Sequence, residues 1–581
     1  MRYLLFLFVV CMSDITWTHT PIQPEKSVSF DDKGLVCGKH DMVVTAHPEA
    51  TNAAQQILAM GGSAADAAIA AQFVLGLVEP QSSGIGGGGF ALYFDADPQA
   101  LHALDARETA PSSITPELFL DSSGQPMEFD KAAKSGRSVG TPGLLSMLVH
   151  LHQKFGRLPW KSLCIPAIKL AEQGFRVSNR TAQMLPTNSA DFSKDPEALT
   201  YFYPHGRALQ AGQIITNKAY ASTLTHIANT QATDFYHGPF AQAISNKVKQ
   251  FDGGLDAHDL NQYKMVERPS LCKNYRGYKI CSIGEPSSGG ITLLQALSII
   301  AHNRPHMASE HSTDDWHQII EASRLSFADR AQYIADSDIV PTPSEALLED
   351  NYIQSRAALI DPHHAMTEVQ PGKPHWTHAS QAPDTRHKNT GTTHISIMDT
   401  YGDVISMTTC IENAFGSRLM THGFLLNNQL TDFSFTPIDA TGQPIANRPQ
   451  GSKRPRSSMT PVIVFDKTGE PFIAIGSAGG SRIIGYVLQA LIAILDWELP
   501  LDKALSMPHI LHRGSGLETE PGTDRTLRQS LSNMGHQIRT LDMNSGLSAL
   551  ISHQGNLCGA ADPRRDGIAS AHSAATIASG H

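Results

Sequence analysis

The pattern of apolar and polar positions predicts a strand and two helices near the start of the chain. Residues 42–46 form an apolar run of strand length, and a helical pattern begins at Pro48. The Gly61-Gly62 pair interrupts that pattern, and an Ala-rich helical run follows from Ala64. We therefore expect two helices, separated by a glycine break, directly after the strand.

A glycine-rich segment at residues 82–90 leads into a strand-like run over 90–94. Gly84, Gly86 and Gly89 match the spacing of a dinucleotide-binding loop. Such a loop follows a strand and opens a helix, whereas this segment follows a helical run and opens a strand. The order of elements therefore argues against a dinucleotide-binding fold.

The middle of the chain, about residues 140–390, is mostly amphipathic and helical, as over 141–155 and 316–334. We expect these helices to cover a sheet. Between 361 and 388 the composition shifts to His, Pro, Gln, Thr and Asp with little apolar periodicity, which predicts an exposed, mobile segment. From Thr393 onward the pattern is strand-like through much of the remainder.

Two β-prone runs directly after that segment predict a hairpin. Residues 392–399 and 404–411 are separated by a three-residue turn that ends in glycine, where a left-handed residue is wanted. If the residues flanking the turn face each other, the antiparallel register sets Thr392 opposite Cys410, within a slip of one or two residues. The start of one strand then meets the end of the next.

Thr392 is a candidate nucleophile because a threonine at a chain terminus carries its own base. Its hydroxyl reacts only if a base removes the proton, and an α-amine with a pKa of about 7.7–8.0 can do so. Cleavage of the Gly391–Thr392 peptide bond would supply that amine. Gly391 suits this step because glycine tolerates the strained geometry in which the Thr392 hydroxyl attacks the preceding carbonyl.

Composition and missing motifs argue against other classes of protein. The net charge of −10, without a long basic block, argues against nucleic-acid binding and favours a small-molecule substrate. The chain has no Gly-x-Ser-x-Gly elbow, His-Glu-x-x-His motif or phosphate-binding loop. The 27 histidines show no metal-ligand spacing with Cys, Asp or Glu, so we interpret them as solvated and expect no metal.

The N-terminus predicts export. A short basic start precedes an apolar run over residues 4–12, which has the length of a signal-peptide core and is too short to span a bilayer. We expect a signal peptide over about residues 1–20, with a retained N-terminal anchor as the alternative. The other apolar runs, 64–78 and 486–497, have the length of buried helices.

The cysteines do not indicate a disulfide framework. Seven in a chain of this length, irregularly spaced and without a Cys-x-x-Cys motif, are few. Cys272 and Cys281 flank a plausible hairpin, so an oxidising compartment could join them. Buried free thiols are the favoured interpretation.

Four motifs, in matching order, resemble those of the γ-glutamyltransferase family. They are Gly391-Thr-Thr-His-Ile-Ser, Leu425-Leu-Asn-Asn-Gln-Leu-Thr-Asp-Phe, Lys453-Arg-Pro-Arg-Ser-Ser-Met and Gly476-Ser-Ala-Gly-Gly-Ser. The resemblance covers nearly everything after about residue 34. Its other motifs are Gly86-Gly-Gly-Gly-Phe, Leu104-Asp-Ala-Arg-Glu-Thr-Ala-Pro, Gly140-Thr-Pro-Gly, Pro286-Ser-Ser-Gly-Gly and Ala561-Asp-Pro-Arg-Arg-Asp-Gly.

The resemblance implies an α+β fold of the N-terminal-nucleophile hydrolase type, a four-layer αββα sandwich. It implies a precursor that cleaves itself into a large chain, about residues 21–391, and a small chain, residues 392–581. Members transfer or hydrolyse γ-glutamyl groups, as in glutathione, with water, an amino acid or a dipeptide as acceptor. No cofactor is implied. We expect a bacterial enzyme, periplasmic or secreted, with no membrane contact beyond a signal or anchor.

The same resemblance assigns the groups that bind a carboxylate and an oxyanion. Arg107 matches the family's carboxylate-binding arginine, assisted by the hydroxyls of Ser457 and Ser458. The rigid guanidinium fork suits a carboxylate. The backbone N–H groups of Gly479 and Gly480 would hold the oxyanion of the tetrahedral intermediate.

The α-ammonium of the substrate needs acceptors, which the resemblance assigns to Asp432, Gln429 and Glu412. Many members have Asn in place of Glu412, and a second acid favours a cationic amine over a plain glutaryl group. Many members also have Thr in place of Cys410, where its hydroxyl hydrogen-bonds the nucleophile. Because a thiol is a weaker and longer donor, we expect lower activity or slower maturation in this chain.

Two other functions remain open. One is a related acylase that acts on glutaryl-cephalosporin or another side-chain amide. The other is an uncleaved, non-catalytic homologue that acts as a binding or structural protein.

Overall fold

The computed structural model describes residues 33–186, 189–378, 381–384, 391–572 and 575–577. The predicted signal peptide and the residues directly before Gly391 lie outside the described residues.

The strands, in chain order, are β1 Leu35–Gly38, β2 Met42–Thr45, β3 Gly88–Asp95, β4 Ala100–Ala106, β5 Phe175–Arg176, β6 Ile214–Ile215, β7 Val266–Arg268, β8 Ser270–Tyr275, β9 Tyr278–Ile283, β10 Gly391–Met398, β11 Val404–Glu412, β12 Met420–Thr421, β13 Phe424–Leu425, β14 Val462–Phe465, β15 Pro471–Gly476, β16 Ile510–His512, β17 Leu517–Thr519, β18 Ile538–Thr540, β19 Ser548–His553, β20 Asn556–Ala561, β21 Ile568–Ser570 and β22 Ala575–Ile577.

The α-helices, in chain order, are α1 Pro48–Ala59, α2 Ala64–Val78, α3 Phe129–Ala133, α4 Leu144–Phe155, α5 Trp160–Gln173, α6 Asn179–Met184, α7 Pro196–Phe202, α8 Lys218–Thr230, α9 Thr233–His237, α10 Pro239–Gln250, α11 Ala257–Gln262, α12 Gly289–Asn303, α13 Thr313–Tyr333, α14 Ser344–Leu347, α15 Asp350–Ala357, α16 Ile483–Leu495, α17 Leu501–Ser506 and α18 Arg525–Asn533.

Two large antiparallel sheets form the centre of the fold. One has eight strands in the order β22-β1-β20-β19-β15-β14-β9-β8, and the other has seven in the order β21-β2-β10-β11-β3-β4-β7. The inner faces of the sheets meet in an apolar layer that includes Phe90, Leu92, Ile463, Ala474 and Leu550. This layer excludes water from the space between the sheets.

Helices cover both outer faces. Helices α1, α2 and α4 pack on the seven-stranded sheet, with α5 against α2 and α8 against α5, in a core that includes Ile395 and Ile405. Helices α12 and α16 pack on the eight-stranded sheet, with α13 against α12, in a core that includes Val464 and Ile475. The predicted four-layer αββα sandwich is therefore present.

The predicted helix starts are confirmed where the sequence carries a cap. Helix α1 has Pro48 in its first turn. Helix α2 begins at Ala64, and the Ser63 hydroxyl caps it as part of a capping box. The helix predicted over 141–155 starts later, at Leu144, because Gly143 occupies its N-cap.

The longest apolar runs lie inside buried helices, as the sequence predicts. Residues 64–78 form α2, and 486–497 lies mostly within α16. Among the described residues, no helix is long and apolar enough to cross a membrane. Residues 361–378 contain no helix or strand and are mostly exposed. The mobility of that segment stays a prediction.

The predicted hairpin register is confirmed. Strands β10 and β11 are antiparallel, and Thr392 pairs with Cys410. The turn glycine, Gly402, has a φ of +89°, in the left-handed region that favours glycine. A β-bulge between Gly391 and Thr392 ends the regular pairing at the bond that the sequence predicts to be cut.

Two disulfides correct the interpretation of the cysteines. Cys272 and Cys281 face each other across β8 and β9 and are bonded, so the preference for free thiols was wrong. Cys37 of β1 and Cys558 of β20 form a second disulfide that the sequence did not indicate. Both pairs are direct cross-strand neighbours, which brings their Cα atoms to 4.1 Å.

The Cys37–Cys558 disulfide joins parts of the chain that lie on either side of Gly391. If the chain is cut after Gly391, the two products should remain covalently linked. Matured protein should therefore run near full length on a non-reducing denaturing gel and as two bands after reduction. Cys37→Ser should give two bands on both gels.

Cys272→Ser is the matched control, because Cys272–Cys281 lies entirely before the cut. It should migrate like the unsubstituted protein. Two bands from oxidised, unsubstituted protein without reductant would contradict this prediction.

Candidate active site

A cleft with an empty volume of about 480 Å³ lies at the start of β10. It gathers eight of the residues that the sequence assigned to a site, namely Arg107, Thr392, Cys410, Gln429, Asp432, Ser457, Ser458 and Gly480. They come from β10, β11, the residue directly after β4, and turns and loops in the second half of the chain. Gly479 and Glu412 are not part of the lining.

Thr392 and Cys410 form a chain of contacts to the carbonyl of Gly391. The Thr392 hydroxyl donates to Cys410 Sγ at 3.4 Å, and the thiol lies 2.7 Å from the Gly391 carbonyl oxygen. Burial holds the pKa of the Cys410 thiol well above its usual range, so the thiol keeps its proton and donates it to that oxygen. Cys410 thus contacts the hydroxyl that would attack and the oxygen of the carbonyl that it would attack.

Arg107, Asp432 and Gln429 form the polar wall of the cleft. Arg107 Nη2 lies 2.6 Å from Asp432 Oδ2, and Gln429 Nε2 donates to the same oxygen at 2.9 Å. Burial opposes the guanidinium charge, but the charge of Asp432 and its hydrogen bond favour it, and the pKa of Arg107 is raised. The charge is therefore firmly held at the end of β4.

Two buried polar atoms of this wall have no hydrogen-bond partner among the described residues. They are Arg107 Nη1, a donor, and Gln429 Oε1, an acceptor. Glu108 Oε2 lies 3.7 Å from Nη1, beyond hydrogen-bond distance. Burial raises the pKa of Glu108 to about 8, so it is largely protonated at neutral pH. A buried donor and a buried acceptor therefore await a ligand in one cleft.

The two serines of the cleft, Ser457 and Ser458, are held by their own contacts. Ser458 Oγ accepts a hydrogen bond from Arg330 Nη2 at 2.8 Å, and Arg330 Nε donates to Ser288 Oγ at 2.7 Å. Ser457 Oγ accepts from the Met459 N–H at 3.1 Å. Both hydroxyls retain the capacity to donate to an anion.

Sequence reasoning missed three charged residues of the lining, Arg330, Asp384 and Arg456. Arg456 Nη2 pairs with Asp384 Oδ2 at 3.0 Å. Burial, together with the nearby Arg456 charge, lowers the pKa of Arg330. Arg456 belongs to a quoted motif and could have been found there, whereas Arg330 lies inside α13 with no local signal. The cleft is rich in buried guanidinium groups, which favours an anionic ligand.

Gly479 and Gly480 shape the far end of the cleft. Their φ angles are +125° and +61°, and a Cβ on Gly479 would lie 2.7 Å from the Tyr486 ring. A side chain at Gly479 would be strained for both reasons. The 3-10 turn from Gly480 leads directly into α16, whose N-terminus carries positive dipole charge. This end of the cleft suits a developing negative charge.

Glu412 lies off the cleft wall. It is fully buried, and Asn428 Nδ2 donates to its carboxylate. Its backbone N–H donates to Cys410 Sγ at 3.0 Å. The uncut chain therefore places Glu412 in contact with Cys410, away from the Asp432 and Gln429 groups with which the sequence had combined it.

One group of described residues outside the cleft could hold a metal ion, namely His317, Glu321 and His536, all buried. The interpretation of the histidines as solvated was wrong for His317 and His536, and His317 and Glu321 lie four residues apart on α13. His317 Nδ1 and His536 Nε2 are 2.8 Å apart, a hydrogen bond and closer than the roughly 3.3 Å between two nitrogen ligands on zinc. Glu321 also pairs with Arg324 at 2.8 Å. These contacts favour a structural role.

Comparison with known proteins places this geometry in a family. A relative from Bacillus subtilis (strain 168), named Glutathione hydrolase proenzyme, is 36% identical over 555 residues, or 93% of each chain. One of that name from Escherichia coli (strain K12) is 34% identical and covers 91% of each chain. A crystal structure of a cephalosporin acylase from Bacillus halodurans superposes with a TM-score of 0.81 at 27% identity, covering 92% of this chain and 96% of that one. The sequence model of the family described as Gamma-glutamyltranspeptidase matches residues 50–572, and the chain belongs to that family.

Proposed function

We propose that this chain is a γ-glutamyltransferase with glutathione hydrolase activity, made as a precursor that cuts itself between Gly391 and Thr392. The observation that carries the proposal is the pair of orphan atoms, Arg107 Nη1 and Gln429 Oε1, in the cleft beside Thr392. A γ-glutamyl group presents a carboxylate and an ammonium on one carbon, and these need one donor and one acceptor respectively. The similarity to two glutathione hydrolase proenzymes supports the same activity.

Maturation would begin when Thr392 Oγ attacks the carbonyl carbon of Gly391. The Cys410 thiol already donates to that carbonyl oxygen and would stabilise its developing negative charge. The C–N bond breaks as the acyl group moves to Oγ, and the Thr392 nitrogen takes up a proton. Water then hydrolyses the ester, which leaves a carboxylate on Gly391 and a free hydroxyl on Thr392.

In turnover, the new α-amine of Thr392 accepts the proton of its own hydroxyl while Oγ attacks the γ-carbonyl carbon of the substrate. The N–H groups of Gly479 and Gly480 hold the oxyanion. The amine returns the proton to the leaving nitrogen, which in glutathione is that of the cysteinylglycine part. Water or an acceptor amine then attacks the acyl-threonine and frees Oγ again.

Substrate binding would use the polar wall of the cleft. Arg107, with Ser457 and Ser458, takes the α-carboxylate, and Asp432 with Gln429 takes the α-ammonium. In the free cleft Arg107 and Asp432 pair with each other, so each charge is already neutralised before the substrate arrives. The substrate zwitterion supplies a second pair of opposite charges, which keeps the buried cleft balanced.

The mature protein would consist of a large chain, about residues 21–391, and a small chain, residues 392–581. Their strands alternate within both sheets, as where β2 and β3 of the large chain flank β10 and β11. We propose export to the periplasm or the medium of a bacterium. The two disulfides favour an oxidising compartment.

A second candidate is an acylase that removes a glutaryl side chain, as the similarity to a cephalosporin acylase structure suggests. A glutaryl group has the carboxylate but not the ammonium. It would satisfy Arg107 Nη1 and leave the Gln429 Oε1 acceptor without a partner, and such an unpaired buried group is costly. The cleft therefore favours the γ-glutamyl substrate.

The enzyme should hydrolyse γ-glutamyl-p-nitroanilide with a kcat/KM about 100-fold or more above that for glutaryl-p-nitroanilide, because only the first offers an ammonium. Asp432→Asn should reduce this ratio about 10-fold, the loss expected for one charge-assisted hydrogen bond. Both values follow from initial rates of p-nitroaniline release.

Asp439→Asn is the control, since Asp439 caps an exposed turn through Thr441 and lies outside the cleft. It should leave the ratio unchanged. Equal rates for the two anilides with the unsubstituted enzyme would favour the acylase.

Cys410→Thr should raise the rate of turnover or of maturation by about 5- to 30-fold, because a hydroxyl is a stronger and shorter donor than a thiol. A threonine hydroxyl would take over both contacts of the thiol, because it can donate to the Gly391 carbonyl and accept from the Thr392 hydroxyl. Maturation is measured on denaturing gels of samples quenched at successive times, and turnover is measured by the rate of anilide hydrolysis.

Cys164→Ser is the matched control, because Cys164 is the other free, buried cysteine among the described residues and lies in α5. It should change neither rate in this direction. Unchanged or lower rates for Cys410→Thr would show that the thiol is no handicap.

A further inference from the structure

Arg565 contacts the nucleophilic residue through its backbone. It is buried, with 1% of its surface exposed, and its Nη1 donates to the carbonyl oxygen of Thr392 at 2.9 Å. Asn544 fixes the guanidinium from the other side. Arg565 Nε donates to Asn544 Oδ1 at 3.0 Å, and Nη2 donates to the Asn544 carbonyl at 3.2 Å. The planar fork is therefore held in one orientation.

This contact replaces a strand neighbour that β10 lacks at its start. Strand β2 pairs with β10 only from Ile395 onward, so it does not reach Thr392. On an extended strand the N–H and C=O of one residue point to the same side. The nitrogen of Thr392 therefore faces the side on which Arg565 lies. Since the nitrogen and oxygen of one residue are roughly 3 Å apart, Arg565 Nη1 is within about 6 Å of that nitrogen.

Once the bond to Gly391 is cut, Thr392 begins the chain and loses the tether on its nitrogen side. Its remaining anchors are the pairing with Cys410 and the contact with Arg565. We infer that Arg565 is a positioning residue that holds Thr392 in register and keeps its new α-amine in the unprotonated form, an inference that rests on the proposed function. A like charge within about 6 Å disfavours the ammonium form of an amine.

The other charged groups around this point leave that effect in place. Thr393 Oγ1 donates to Glu79 Oε2 at 3.3 Å, and Arg180 lies 3.7 Å from the other oxygen of Glu79. Burial raises the pKa of Glu79 to about 7, against the opposing influence of Arg180 and Arg565, while Asp566 adds to the rise. Below neutral pH Glu79 is largely protonated. Of the charged groups that act on Glu79, Arg180 and Arg565 are then cations and Asp566 is a carboxylate. The surroundings of this point are therefore net positive.

On the β11 side the Cys410 thiol is neutral, because burial holds its pKa high. The Glu412 carboxylate accepts a hydrogen bond from Asn428 and, when charged, opposes the effect of Arg565. Arg107 and Asp432, across the cleft, form an ion pair and cancel at a distance. Arg565 is the nearest of these charges that is fixed by a contact to Thr392 itself.

The test compares Arg565→Met, Arg565→Lys and Arg356→Met in the full chain. The pH dependence of kcat/KM with γ-glutamyl-p-nitroanilide reports the base of the free enzyme. On the acid side of that profile, kcat/KM falls as the α-amine takes up a proton, and we call this part the acid limb. Arg565→Met should move the acid limb to higher pH by about 0.5–1 unit, because the Arg565 charge no longer repels the ammonium. It should also lower kcat about 10-fold or more through misplacement of Thr392, with KM within about twofold. Arg565→Lys keeps the charge, so its acid limb should stay and only kcat should fall.

Arg356→Met is the matched control. Arg356 is also buried and also donates to backbone carbonyls, those of Leu325 and Gln370, but it belongs to α15. It should lose stability without moving the acid limb. The inference would be overturned if Arg565→Met left both the acid limb and kcat unchanged. It would also be overturned if Arg356→Met shifted the acid limb as far as Arg565→Met does.

Two further outcomes are informative. If Arg565→Met folds cooperatively but stays uncut while Arg356→Met matures, the cleavage rate itself supports the hold on Thr392. If Arg565→Met does not fold, Arg565→Lys decides, since a normal kcat in that variant contradicts the positioning role.

The unsubstituted protein distinguishes a failure of the proposed function from a failure of this inference. If it neither matures nor turns over, the proposed function fails; if it does both while the variants match it, only this inference fails.

Discussion

The antiparallel pairing of β10 with β11 is the constraint on which the rest of the site depends. It sets Thr392 against Cys410 and, through the bulge, brings the Gly391 carbonyl to the thiol. The pairing is buried between helices and a second sheet, so a slip by one residue would turn Ile395 and Ile397 out of the apolar core. The cost of that exposure holds the nucleophile in place before any substrate binds.

Burial and charge oppose each other throughout the cleft. Arginine side chains are costly to take out of water, and the structure meets that cost by pairing Arg107 with Asp432 and Arg456 with Asp384. The remaining orphan donor and acceptor leave the cleft incomplete without a ligand. A ligand with a carboxylate and an ammonium on one carbon completes both at once, which ties substrate choice to the same electrostatics that stabilise the empty site.

The features that the sequence could predict are those set by short-range rules. The turn after β10 is three residues long and ends in Gly402, which fixed the hairpin register and therefore the Thr392–Cys410 pair. The placement of Pro48 and the Gly61-Gly62 break likewise gave the starts of α1 and α2. The resemblance to the family motifs identified Arg107, Asp432 and the glycine pair as site residues, because each of them stands in a motif with a recognisable spacing.

Features set by long-range contacts could not be predicted in this way. The partner of a short strand is not encoded locally, so the Cys37–Cys558 disulfide, with its separation of 521 positions, gave no signal. Arg330 enters the cleft from the last turn of a helix whose pattern is that of an ordinary amphipathic segment. Glu412 lies off the cleft wall because its left-handed φ of +78° takes it off the alternation of β11, a local turn that the sequence did not signal.

The central claim is that the chain is a precursor whose mature nucleophile is Thr392. The most direct measurement is the intact mass and N-terminal sequence of the smaller chain from reduced, purified protein. The account predicts a chain that begins Thr-Thr-His-Ile-Ser and has the mass of residues 392–581. A chain that stays whole under conditions where it is folded, or a small chain that begins at another residue, would contradict it.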